Sequence, residues 1–417
     1  MAKQEQISSH DSKKLIPYWV KVVIVFFFGW IALYATRTIL NPIMNEIQVE
    51  FGLSASQLGL ISSLFFLGYA GLNVPSGILG DKFGKKRVLV PGFILFGIFA
   101  AITGMMPTFF LFISSWLMVG IFQGFYYGPQ YGLSTEAIPR NRITVGSAFI
   151  NSGMAFGTSL GYYISTYTVD VYGMNWRTPF FIMAVFVVLV GLAIIWVIKD
   201  RPKTLSERTA EQAGEKFEFS SLFKNWNLIM NYITIFTSIY GFFVIITWLP
   251  YYLEHARGVT GGSIAFVSSL VPWASIPAAI FFSWIADKMG KRRPVLLIMM
   301  PMTVLCVIAI VAFDSMAVLY AALIGYGIFG KLSTNPILLA VTADNAPKGS
   351  LGTAFGLYNF IGMCGSILAP YITGYLTDLT GSLNSGFYFA AGLLVIGTIA
   401  SFLLKEDNKP KVDPATV

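Results

Sequence analysis

Charge is scarce in this sequence, and the shortage excludes a large class of proteins. Only 12% of the 417 residues are Asp, Glu, Lys or Arg, about half of the roughly 25% found in soluble domains, so a water-soluble globular fold is ruled out. There are two cysteines, Cys306 and Cys364. Both lie in apolar stretches, which gives no disulfide framework and no thiolate metal site. The two histidines, His10 and His255, lie outside those stretches. Zinc-ligand spacing, a phosphate-cradling glycine loop and a Ser/His/Asp set are all missing, so we expect no enzyme activity, no metal and no cofactor. Short alternating segments, the mark of a membrane β-barrel, are missing too. The net charge of +8 would suit a nucleic acid. The Lys and Arg residues gather in alternate loops instead, which is a topology signal, and no nucleic-acid partner is expected.

What the chain has is apolar length. Fully 55% of its residues are hydrophobic, arranged in repeated stretches of about 20 residues, each long enough to cross a bilayer as a helix. Twelve spans are predicted, at 20–44, 56–79, 88–106, 109–133, 144–166, 178–198, 228–253, 262–285, 294–313, 316–341, 351–376 and 386–404. The fold class is an all-α polytopic membrane protein of two six-helix repeats. Residues 1–18 form an N-terminal tail, 19–198 the first bundle, 199–226 a polar linker, 227–404 the second bundle and 405–417 a short tail. The N-terminal tail has no small-residue cleavage site, so no removable signal peptide is expected. Basic residues fall in the loops at Lys82–Arg87, Arg140–Arg142, the linker, Lys288–Arg293 and Lys348, whereas the opposite loops hold only Arg177 and Arg257. By the positive-inside rule both termini are cytoplasmic, in a cell inner or plasma membrane.

The halves echo each other. Gly80-Asp81-Lys82-Phe83-Gly84-Lys85-Lys86-Arg87 returns as Ala286-Asp287-Lys288-Met289-Gly290-Lys291-Arg292-Arg293, and Gly120-Ile121-Phe122 with Pro129 returns as Gly327-Ile328-Phe329 with Pro336. Paired repeats of this kind place a site at the midplane between them.

Within the first span stands Arg37. No Asp or Glu occurs between Leu15 and Asn45 to pair with it. A central Arg costs about 2.5–3.5 kcal/mol on insertion scales and usually faces a pathway. Guanidinium stays charged and grips carboxylate or phosphate with two donors, so we expect a transported anion as its partner. Lys331, within the tenth span, is a second cation without an acid in its span. It either binds a second charge or, since an ammonium can release its proton, couples one; snorkelling to the interface is the structural alternative. Around the two cations we place Tyr34 and Asn41 on the stripe of Arg37, Gln123 and Tyr127 on the fourth span, and Asn151, Tyr240, Trp248, Asn335, Tyr358 and Asn359. Asn335 shares the face of Lys331 by its spacing. For a lone Tyr or Trp, an interfacial role is the plainer account. Gly153, Gly157 and Gly161 read as helix packing.

Gly77-x-Leu79-Gly80-Asp81-Lys82-x-Gly84-Lys85-Lys86-x-x-Leu89 resembles the signature loop of the major facilitator superfamily, and the resemblance covers essentially the whole chain. It implies that Gly77, Asp81, Gly84, Lys85 and Lys86, with Asp287, Gly290 and Lys291 in the second copy, latch the halves on the cytoplasmic face. Glu136 and Asp344 are expected to be acidic partners of these loops. Tyr34-x-x-Arg37 resembles the anion:cation symporters and the organophosphate:phosphate antiporters. Gly241-Phe242-Phe243 with Trp248-Leu249-Pro250, and Asp344-x-Ala346-Pro347, are similar to the former; Phe122-Gln123-Gly124 is closer to the latter. The departures matter. Thr36 and Gln123 stand where symporters commonly carry acids, Phe242 where the antiporters have a second Arg, and Met154 where they have a His. The reading is a secondary transporter of a small organic anion (a carboxylate, sugar acid, sulfonate or phosphate ester) by alternating access, with proton-coupled uptake and a monomer in the bilayer. A phosphate-linked organophosphate antiporter and a non-transporting ligand sensor are the alternatives.

Overall fold

In a computed structural model, residues 16–139, 142–199, 220–347 and 350–405 are described. The expected tail 1–18 lies mostly outside them, as do most of the linker and the basic residues Arg140 and Lys348.

The described residues are predominantly helical. The first group of helices is α1 (Tyr18–Thr38), the short α2 (Met44–Phe51), α3 (Ala55–Phe83), α4 (Lys85–Met105), α5 (Phe109–Gly124), α6 (Tyr127–Ala137), α7 (Ile143–Thr166) and α8 (Thr178–Val197). A single π-helical turn, Tyr167–Val171, extends α7. The second group is α9 (Trp226–Arg257), α10 (Gly262–Met289), α11 (Arg293–Ala312), α12 (Met316–Phe329), α13 (Lys331–Asn345), α14 (Leu351–Thr380) and α15 (Asn384–Phe402). Among the described residues, eleven helices or end-to-end helix pairs are long and apolar enough to cross a membrane. Helix α7 adds a twelfth stretch of 24 residues.

Local sequence explains the ends and breaks. Gly84 and Gly290 close α3 and α10 with φ of +104° and +64°, a region that L side chains rarely enter. The signature loops therefore need glycine at these places for backbone reasons. The fourth and tenth spans are both interrupted: α5 stops at Gly124 and α6 starts at Tyr127, while α12 stops at Phe329 and α13 starts at Lys331. These breaks fall at matching places in the repeat. The glycine stripe of α7 lies on α1. A Cβ on Gly153, Gly157 or Gly161 would come within 2.5 Å of the Phe27 carbonyl, 2.6 Å of the Ile31 carbonyl or 2.1 Å of the Thr38 hydroxyl. Small residues here let two backbones touch, and this contact fixes the helix that carries Arg37.

The groups meet along α3 with α14 and α7 with α10. Hydrogen bonds between them gather on the face opposite the basic loops, called here the far face. Asn41 Nδ2 and Tyr162 Oη both donate to the Ile246 carbonyl, each at 2.8 Å. That carbonyl is free because Pro250, four residues on, has no N–H to offer it. Tyr251 Oη donates to Gln48 Oε1 at 2.8 Å, and Asn45 Nδ2 donates to Glu254 Oε1 at 3.2 Å. The Asp378 carboxylate accepts from the Ala55 and Ser56 amides at 2.9 and 2.8 Å, so an acid of α14 caps the first turn of α3. On the basic face Lys85 pairs with Glu136, and Arg292 with Asp287 and Asp344. Lys86 donates to the Ile195 carbonyl.

Candidate anion site

Arg37 sits at the end of α1, only 9% exposed. Its Nε donates to Gln123 Oε1 at 2.9 Å, and Gln123 Nε2 is held in turn by the Leu33 carbonyl at 3.3 Å. The guanidinium carbon lies 4.7 Å from the Tyr34 ring centre and 4.2 Å from that of Tyr69. Two aromatic faces and a neutral amide orient the group without neutralising it. Its Nη2 is buried and has no hydrogen-bond partner among the described residues. A buried unpaired donor on a full positive charge is costly, and an oxyanion at the Nη edge would remove that cost.

The cleft beside Arg37 is lined from both groups of helices, by Tyr34, Asn41 and Ser62 on one side and Phe242, Phe243 and Thr247 on the other. Aromatic rings continue across it. Phe66 lies 5.9 Å from the guanidinium carbon and packs on Phe243 at 4.5 Å; Phe243 meets Phe242 at 5.3 Å, and Lys331 Nζ stands 5.5 Å from the Phe242 centre. Lys331 lies within the tenth span, Met316–Asn345, about halfway along it. The break at Gly330 makes it the first residue of α13, where the helix dipole opposes a cation and favours an anion. Lys331 and the α13 N-terminus thus present positive potential together, facing the positive potential of Arg37.

The other expected residues divide. Tyr34 and Asn41 line the cleft, but α1 ends at Thr38, so Asn41 reaches it from a turn rather than from a continuous helical stripe. Gln123 anchors Arg37. Tyr127 stands just after the break at Gly124, and its ring packs on Trp30 and Tyr131. Asn151 accepts from Tyr131 Oη at 3.0 Å, and Asn335 from Tyr358 Oη at 3.1 Å. Asn335 is thus tied to α14. Asn359 is half-buried. Tyr240 packs on Phe389, and Trp248 donates to the Pro370 carbonyl; both of these contacts are to residues of the second group. Sequence reasoning missed Tyr69, Phe66, Phe243 and Ser62. An aromatic residue in an apolar span carries no signal of its own, and only the tertiary fold brings side chains of α3 and α9 together beside the cation.

Comparison with known proteins adds three findings. The Major Facilitator Superfamily model matches residues 26–259 and again 232–417. A hexuronate transporter of Bacillus subtilis is 28% identical over 91% of this chain and 93% of its own length, and a phosphoglycerate transporter protein of Salmonella typhimurium is 25% identical over 93% and 89%. The crystal structure of a D-xylose-proton symporter superposes with a TM-score of 0.77 at 14% identity, covering 93% of this chain and 98% of that one. The last likeness speaks for the fold alone.

Proposed function

The chain belongs to the Major Facilitator Superfamily, and on that premise we propose that it is a secondary transporter of a small organic anion, bound between Arg37 and Lys331 and moved by alternating access. The observation that carries this reading is the buried Arg37 guanidinium with a neutral anchor and an unpartnered Nη2. The names of the hexuronate and phosphoglycerate relatives support the substrate class. A substrate with two negative groups suits the site, one group on Arg37 and the other at Lys331 and the α13 N-terminus. In our reading the basic face is cytoplasmic, in a cell inner membrane, so the far-face seal closes the cleft to the outside. Proton-coupled uptake is the mode we assign, with Lys331 as the residue that carries the second charge or the proton. Exchange against inorganic phosphate is the second reading, favoured by the phosphoglycerate relative.

The test has two parts. A thermal-shift screen of the purified chain against uronates, sulfonates and phosphate esters identifies the ligand, since binding stabilises by mass action. Uptake and exchange are then measured in proteoliposomes. Arg37→Lys should cut uptake about 100-fold, because a point charge cannot replace the fork; near-normal uptake removes Arg37 from the site. Lys331→Gln that keeps exchange but loses concentrative uptake assigns coupling to Lys331. Loss of both assigns substrate contact, and survival of both makes it structural.

A further inference from the structure

We propose that the outer wall of the first group of helices carries a binding site for an anionic phospholipid, with Arg87 holding the headgroup phosphate and the adjoining furrow holding an acyl chain. The furrow has a volume of about 320 Å³ and lies where α3, α4 and α5 meet. Its apolar lining includes Leu79 and Phe83 of α3, Pro91 and Leu95 of α4, and Phe122 and Phe125 at the end of α5. Arg87 is the one charged residue in that lining.

The sequence explains both parts. The signature loop turns at Gly84, so α4 begins with the basic run Lys85-Lys86-Arg87. Lys85 is engaged by Glu136 and Lys86 by the Ile195 carbonyl. Arg87 is exposed and has no ion-pair partner among the described residues. One turn on, Pro91 supplies a rigid ring to the furrow and leaves the Arg87 carbonyl without its helical N–H. Gly92, whose Cβ would lie 2.5 Å from Phe125, draws α4 onto the end of α5 and so forms the floor. The result is an apolar trough with a free guanidinium at its mouth, on a helix that begins at the basic face. An acyl chain meets the trough as it would meet bilayer interior, and the guanidinium pairs with a phosphate in two-donor geometry. A headgroup of net negative charge completes the match, because a basic residue near a membrane surface favours anionic lipid by about 1 kcal/mol, or about five-fold. The occupant we assign is therefore an anionic diacyl phospholipid. The site is separate from the Arg37 cleft and does not depend on what is transported.

The test is native mass spectrometry of the full chain, released from nanodiscs of phosphatidylcholine mixed with phosphatidylglycerol. The parent chain should retain one phosphatidylglycerol with a preference of about five-fold over phosphatidylcholine. Arg87→Gln should bring that ratio close to one, and Arg87→Lys should keep most of it. Leu95→Trp, which fills the furrow with the charge intact, should abolish the retained lipid. Lys21→Gln, an equal loss of charge on exposed α1 outside the furrow, should change nothing. Three results overturn the proposal: Arg87→Gln keeping the parent ratio, Lys21→Gln lowering it as far as Arg87→Gln does, or Leu95→Trp retaining the lipid. The second would mean diffuse charge and the third would mean that the chain lies elsewhere.

Discussion

Replacing Gln123 by Glu tests whether the cleft works as an uncompensated positive site. The amide oxygen accepts from Arg37 Nε at 2.9 Å, so Gln123→Glu puts a carboxylate at the same point with almost no change of shape. Arg37 is then neutralised from behind, and the cleft keeps only the charge of Lys331. With a substrate oxyanion about 6 Å from the new carboxylate and an effective dielectric of about 20, the added repulsion is about 3 kcal/mol. That is about 100-fold in affinity. The assay is the dissociation constant of whichever anion the thermal-shift screen identifies, measured on purified protein, with Gln123→Leu as the companion. The Leu variant removes the anchor but leaves the positive charge, so it should lose less affinity than the Glu variant. The reasoning fails if Gln123→Glu binds the anion as tightly as the parent. It also fails if the Leu variant loses more than the Glu variant, since the amide would then matter for packing or orientation rather than for its neutrality.

Two further outcomes follow from the same geometry. Gly157→Leu should push α7 off α1, because even a Cβ would sit 2.6 Å from the Ile31 carbonyl; overpacking of this kind costs about 1–3 kcal/mol, which a lowered Tm in detergent would show. At the far face, burial and then the neighbouring Glu254 raise Glu46 above the ordinary carboxylate range, while burial and then Glu46 raise Asp170 to about 6. Asp170 is exposed on one side, so solvent screens part of this effect. The sign follows from linkage: the sealed far face holds these groups with protons more readily than open water does, so sealing is favoured at low pH and weakens as pH rises from about 4 through about 6. Spin labels at Val49 and Thr260 should show a larger short-distance population at about pH 4.5 than at about pH 7.5, and Glu46→Gln with Asp170→Asn should flatten the difference.

The parts of the molecule legible from the sequence share one physical cause, the cost of polar groups in lipid. That cost makes spans readable as apolar runs and makes Arg37 conspicuous. It also makes Lys331 visible, although not the break beside it: in composition the tenth span looks continuous, and only the backbone shows α12 ending at Phe329 and a new helix starting on the cation. The same holds for the break between Gln123 and Tyr127. An ideal helix puts them on one face, but the chain turns between Gly124 and Tyr127, so one holds Arg37 and the other packs on aromatic rings.

By itself, the sequence determined the superfamily, the helical membrane architecture, the repeat of the signature loops and the presence of a buried cation with no acid nearby, because each is a matter of composition or spacing along one chain. Tertiary structure alone decided what surrounds that cation. Tyr69 and Gln123 come to Arg37 from α3 and α5, and the ring bridge to Lys331 crosses both groups of helices. A cleft between two bundles is a property of how their faces meet, and residues that are distant in sequence acquire their roles only when that meeting brings them within a few ångströms of one charge.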